Sequence, residues 1–175
     1  APPTQDVTIP LSSGNADEGT VPAQVVFTSS NWDQPQTITI TGEDDDVDDG
    51  DVSYTILLGT VQTTDPAYQG IDPVDVSVVN TDDDTVGITV TPTSGLITTE
   101  SGGTADFTVK LESEPTADVT IAVASNNTAE GTVAISELVF TVANWNQAQT
   151  VTVTGAEDGD VDGDVPYTID LGPVT

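Results

Sequence analysis

Along most of its length the chain alternates between apolar and polar residues. "QTITITG" (36–42) and "QTVTVTG" (149–155) set Ile or Val at every second position with Thr between, and "VTIAV", "ADFTVKL", "VSYTILL" and "VDVSVV" keep the same period of two. Successive side chains of a β-strand point to opposite faces, so this period predicts strands with an apolar face toward a core and a polar face toward water. Gly, Pro, Asn or Asp bounds each run, as short strands joined by turns require. No segment carries the apolar stripe of a helix, with positions three and four apart. The pattern predicts an all-β chain of tandem antiparallel, Ig-like β-sandwiches with about seven strands each.

The chain also repeats itself. "FTSSNWDQPQTITITGEDDDVDDGDVSYTI" (27–56) returns as "FTVANWNQAQTVTVTGAEDGDVDGDVPYTI" (140–169), so that Phe27 and Phe140, and Tyr54 and Tyr167, stand 113 residues apart. Upstream, "PTQDVTI" (3–9) matches "PTADVTI" (115–121), and "EGTV" (18–21) matches "EGTV" (130–133), both at a spacing of 112. The repeat unit is therefore about 112 residues, and the sequence holds about one and a half of them, cut out of phase. Its joint is expected at "NTDDDTVGITV", with residues 1–85 the C-terminal part of one repeat and 86–175 the N-terminal part of the next. On this reading the first part lacks its opening strands and the second its closing strand. The missing strands are expected from the continuing chain or, by strand donation within a filament, from another copy.

Thirty acidic residues against one basic residue, Lys110, give a formal net charge of -29. That charge repels nucleic acid and anionic membrane surfaces and makes cations the first partners to consider. There is no cysteine for a disulfide or a thiolate site, and no apolar run for direct membrane insertion. The opening "APPTQDVTIP" reads as an interior piece of something longer. Catalysis is not expected: without His or Cys, a Ser or Thr nucleophile has no usual base, and no Gly-rich phosphate loop precedes a helix. Paired carboxylates for glycoside hydrolysis would need an aromatic-lined cleft, and aromatics make up 5% of the chain.

The acids gather at two equivalent loops and at the joint, while the Thr-rich strands between are nearly uncharged. Calcium accepts six to eight oxygens at about 2.3–2.6 Å, and short Asp side chains on a loop suit it better than they suit the tight octahedron of magnesium. "DGDVDG" (158–163) satisfies the first half of an EF-hand loop, but the twelfth position is Ile169 rather than Glu, and a strand follows. A solvated acidic face suited to salty surroundings is the plain alternative. Trp32 and Trp145 read as packing at the sandwich edge rather than a sugar platform, Tyr54 and Tyr167 as core, and "NNT" (126–128) fits a glycosylation acceptor.

Four features in order resemble the Calx-beta family of extracellular calcium-binding sandwich repeats, and more loosely the repeats of large bacterial surface adhesins. They are Glu100-Ser-Gly-Gly leading into "TADFTVKL", the "FT..NW...QTVTVTG" approach, the acid-rich loop after it, and "NTDDDT" at the joint; together they span nearly the whole chain. The resemblance implies a Calx-beta-like sandwich with Ca2+ at one end. Its ligands would be Glu100, then Asp44, Asp45, Asp46, Asp48 and Asp51 in one loop, Glu157, Asp158, Asp160, Asp162 and Asp164 in the other, and Asp82, Asp83 and Asp84 at the joint. The family's loops often carry glutamates further along, where this chain has Asp48-Asp49-Gly50-Asp51. It further implies a bacterial cell-surface protein in which calcium stiffens a stalk, spacer or fibre of an adhesin. The alternative from the same residues is a carbohydrate- or protein-binding sandwich module.

Overall fold

The computed structural model describes every residue except Asp160 and Asp162. The described residues form strands, turns and bridges with no helix, and each ladder is antiparallel. The chain divides into two compact units, Ala1–Asp45 with Asp49–Asp83, and Asp46–Asp48 with Asp84–Thr175.

The second unit is built from β7 (Ile88–Thr91), β8 (Thr104–Leu111), β9 (Val119–Ser125), β10 (Gly131–Val133), β11 (Glu137–Phe140), β12 (Gln149–Gly155) and β13 (Ile169–Val174). One sheet runs β10-β12-β8-β7 and the other β11-β9-β13. Alternation sets the inward residues: Phe107, Val109 and Leu111 of β8 and Val151 and Val153 of β12 meet Ile121 and Val123 of β9 and Leu138 and Phe140 of β11 in one core. Two facing sheets with a shared apolar interior make a β-sandwich. Trp145 packs into the same core.

The first unit holds β1 (Val7–Ser13), β2 (Gly19–Thr20), β3 (Gln24–Phe27), β4 (Thr41–Gly42), β5 (Val52–Leu58) and β6 (Val76–Asn80). Its sheet order β3-β1-β5-β6 parallels β11-β9-β13 of the second unit, and its short β2-β4 pair parallels β10-β12. Val7, Leu11, Tyr54, Ile56 and Val61 are buried.

The two matched stretches part company at the Thr-rich strand. "QTVTVTG" forms the whole of β12, paired with β8 from Gln149↔Val109 to Thr154↔Thr104. "QTITITG", with the same alternation, yields only Thr41–Gly42, paired with Gly19–Thr20. Among the described residues Gln36–Ile40 joins no ladder, whereas the matching Gln149–Val153 exchanges amide hydrogen bonds with β8. Burial follows pairing: Val151 and Val153 are buried, while Ile38 and Ile40 are only half-buried. Trp145 is 8% exposed and Trp32 39%, because Leu111 N–H of β8 donates to Trp145 C=O (3.1 Å) and holds that turn on the core. The expected packing role thus fits Trp145, whereas Trp32 is open to solvent.

The turn carrying each Trp is the same in both units, because it is built locally. Asn31 Oδ1 accepts Thr28 N–H (2.5 Å) and Asn144 Oδ1 accepts Thr141 N–H (2.6 Å). Each Asn amide also donates back to the preceding strand, to Val26 C=O or Val139 C=O. Asn in this position mimics a backbone turn with its side chain.

Residues ahead of β1 are held by Asp65. Its Oδ2 accepts Thr4 N–H (2.7 Å) and Thr4 Oγ1–H (2.9 Å), and its Oδ1 accepts Ala67 N–H (2.8 Å). The Thr4 and Ala67 amides favour the carboxylate and lower its pKa from the ordinary 3.8, against a smaller opposing effect of burial.

Two outcomes are expected. Phe140 is fully buried and Phe27 half-buried, so Phe140→Ala costs about 3–5 kcal/mol in urea unfolding and Phe27→Ala less than about 2 kcal/mol; equal losses would contradict this difference in burial. Asp65 has a lowered native pKa, so its contribution is present above its ordinary pKa and lost as pH falls through the lowered one. The Tm difference between wild type and Asp65→Asn should therefore be largest above pH 4 and shrink toward pH 2.

Candidate metal centre

Strand register brings the acids of the first unit together. β5 and β6 run antiparallel with Val52 opposite Asn80 and Tyr54 opposite Val78. Continuing that ladder one step past its end places the loop before β5, residues 43–51, alongside the Asp run that leaves β6. The contacts agree. Gly50 N–H donates to Asp82 Oδ2 (2.6 Å), and Asp82 N–H donates to Asp51 Oδ1 (3.1 Å). Gly50 has φ +79°, the left-handed region that L side chains seldom occupy, and this lets its amide face Asp82.

Asp44 and Asp83, both exposed in this unit, present carboxylate oxygens within 4.8 Å of one another. Asp84 follows directly in the chain, is half-buried, and opens the main segment of the second unit. Asp45 lies exposed in the same loop.

A polar knot closes the base of the loop. Asn80 Nδ2 donates to Glu43 C=O (2.7 Å) and to Glu18 Oε2 (3.2 Å), and Glu43 N–H donates to Glu18 C=O (3.1 Å). Glu18 and Asn80 were not among the residues the sequence singled out as ligands. The signal that could have found Glu18 is "EGTV", which recurs intact at Glu130. Gly19 and Gly131 in that motif admit no side chain, because a Cβ there would overlap the rings of Tyr54 and Tyr167.

Asp46 and Asp48 belong to the second unit. Asp46 C=O accepts Glu114 N–H (2.6 Å), and Asp48 Oδ2 accepts Val86 N–H (2.7 Å). Asp48 thus spends one carboxylate oxygen on the backbone, and Asp51 and Asp82 do likewise. Such bonds orient a carboxylate.

In the second unit Glu100, Glu157 and Asp164 line one cavity of about 1320 Å³, together with Glu130, the counterpart of Glu18. Glu100, Glu157, Asp158 and Asp164 are exposed. Asp160 and Asp162 lie outside the described residues. Ala156 N–H donates to Glu130 C=O (2.9 Å), as Glu43 N–H does to Glu18.

No protein-family model matches this chain, and no curated protein sequence matches it. A solved structure is similar. It is described as the crystal structure of calcium binding domain CBD12 of CALX1.1, at a TM-score of 0.46 and 20% identity, over 97% of this chain. This chain spans 66% of the length of that one.

The donor set in the first unit has one chemical character. Asp44, Asp51, Asp82 and Asp83 offer carboxylate oxygens, and the chain has neither His nor Cys to add a softer ligand. Hard oxygen donors of this kind fit Ca2+ or Mg2+ rather than zinc or copper. Unit charges about 4 Å apart repel by about 1 kcal/mol in water, and a divalent cation between them turns that repulsion into attraction. The residues present therefore fit a hard cation.

Proposed function

We propose that this chain is a calcium-binding β-sandwich module, with Asp44 and Asp83 at the centre of the first unit's cation site. The supporting observation is their approach within 4.8 Å, beside a loop and an Asp run already pinned to each other through Gly50, Asp51 and Asp82. Asp45, exposed in the same loop, extends the oxygen supply. In the second unit Glu100, Glu157, Asp158 and Asp164, with Asp160 and Asp162 in the same loop, are the corresponding donors. Calcium is favoured over magnesium because carboxylates on an exposed loop suit a large, adaptable shell better than a small octahedral one.

The wider role we infer is mechanical. Repeats of this kind, each with its carboxylates neutralised by calcium, would serve as a stalk or spacer of an extracellular adhesin on a bacterial surface, or as the unit of a fibre. Neighbouring repeats of one chain or other copies would be its partners. The acid excess supports this reading, since a chain at -29 gains compactness from bound cations and has little to offer nucleic acid.

Thermal unfolding with calcium titrated against a chelator tests the proposal. Binding to the native state alone adds about 2.7 kcal/mol at a hundredfold excess over Kd, which corresponds to a rise in Tm of roughly 10–20 °C for a unit of this size. Matched magnesium should give much less. Asp44→Asn combined with Asp83→Asn should abolish the first unit's share of the calcium gain, leaving the second unit's, with Tm in chelator equal to or above wild type because repulsion is relieved. Equal, small shifts from both metals would contradict the proposal, as would a double variant that retains the full calcium response.

A further inference from the structure

β13 and β5 occupy matching places in their sheets, but only one of them is covered. β5 lies between β1 and β6, whereas β13 ends the order β11-β9-β13. In the first unit β6 sets Val76 opposite Ile56, Val78 opposite Tyr54 and Asn80 opposite Val52. Ile56 and Tyr54 are then 2% and 6% exposed. Their counterparts Ile169 and Tyr167 are only half-buried.

The cavity described above opens beside these residues. Val90, Phe107, Val153, Tyr167, Ile169 and Leu171 line it. Four of them (Val90, Tyr167, Ile169 and Leu171) pack against the sandwich core as partly buried side chains, while Phe107 and Val153 belong to the core itself. Ile97, on the same lining, is 79% exposed. An apolar interior left this accessible, next to a sheet edge, is the geometry into which an extended segment adds as a further strand.

The first unit also indicates what that segment must carry. At the end of β6, Asn80 turns its amide onto Glu18 Oε2 and Glu43 C=O. The second unit has Glu130 and Ala156 at those positions, with Glu130 on the cavity lining. The acids around it, Glu100, Glu157 and Asp164, likewise favour a neutral or donor-bearing end over an acidic one.

We propose that the outer edge of β13 and this cavity form a strand-acceptor site. Its occupant is an extended, antiparallel segment with Val or a similar residue at two alternate positions and an amide side chain two residues further on, the pattern of Val76, Val78 and Asn80. The incoming segment pairs with Ile169 at the start of β13 and draws Val165–Thr168, which join no ladder among the described residues, into the same extended edge; its two apolar side chains fill the cavity over Tyr167 and Ile169, and its amide donates to Glu130. The site shares Glu100, Glu157 and Asp164 with the second unit's proposed calcium donors, so the peptide is titrated in chelator, where its binding reports the strand site alone.

A labelled peptide of residues 73–81, "PVDVSVVNT", tests the site on the whole chain, by fluorescence anisotropy and by hydrogen exchange read with mass spectrometry. Saturable binding is expected, with slowed amide exchange over residues 165–169. The V76D/V78D peptide should bind at least tenfold more weakly, and the N80A peptide severalfold more weakly. Absence of saturable binding, equal affinity of the V76D/V78D peptide, or protection confined to residues 52–58 of the first unit would overturn the proposal.

Discussion

A strand is stable only beside another strand, and in this chain that requirement decides which alternating segments become sheet. Backbone amides that leave water must find partners, and the apolar face of a strand must find a facing layer. "QTVTVTG" has β8 next to it and becomes the spine of a sandwich. "QTITITG" lacks such a neighbour and keeps two residues of pairing. Everything downstream follows from the same condition. Trp145 is buried and Trp32 exposed, Phe140 is closed off and Phe27 half-open, and β13 ends a sheet where β5 lies within one.

Pairing also places the charge. Antiparallel strands bring the residues before one strand to the residues after the other, so the β5·β6 register aligns an acidic loop with an acidic run. Repulsion between these segments is resisted by hydrogen bonds that use both: Gly50 donates to Asp82, Asp82 donates to Asp51, and Asn80 ties Glu43 to Glu18. The fold thereby holds carboxylates such as Asp44 and Asp83 closer than they would remain in an open chain. On the proposed reading, a site for a hard cation would arise from register and short side chains.

Much of this was legible in the sequence because it is local. A period of two announced β5, β6, β8, β9 and β12, and the shared Thr-x-x-Asn-Trp turn is built within a few residues, so it looks the same in both units. What period alone could not reveal were features set by distant neighbours. Alternation was equally clear at Gln36–Gly42 and Gln149–Gly155, and only the presence of β8 separates their outcomes. The approach of Asp82 to Gly50 needed the register of β5 on β6, which no composition encodes. Glu18 and Glu130 were hidden because a lone Glu in a turn looks like any solvated acid until the recurring "EGTV" is set beside the strands it touches. Asp65 was likewise silent in sequence, since its partner Thr4 is 61 residues away.

The most direct measurement is calorimetric titration of calcium into the chelator-stripped chain at about 0.15 M sodium chloride, where the screening length is about 8 Å. A preformed carboxylate site predicts a saturable isotherm with a defined stoichiometry that survives a further doubling of salt and is missing with magnesium at the same concentration. Weak heats that never saturate, shrink in proportion as salt rises and look alike for the two metals would mean that the aspartates are a solvated face, and would contradict the account.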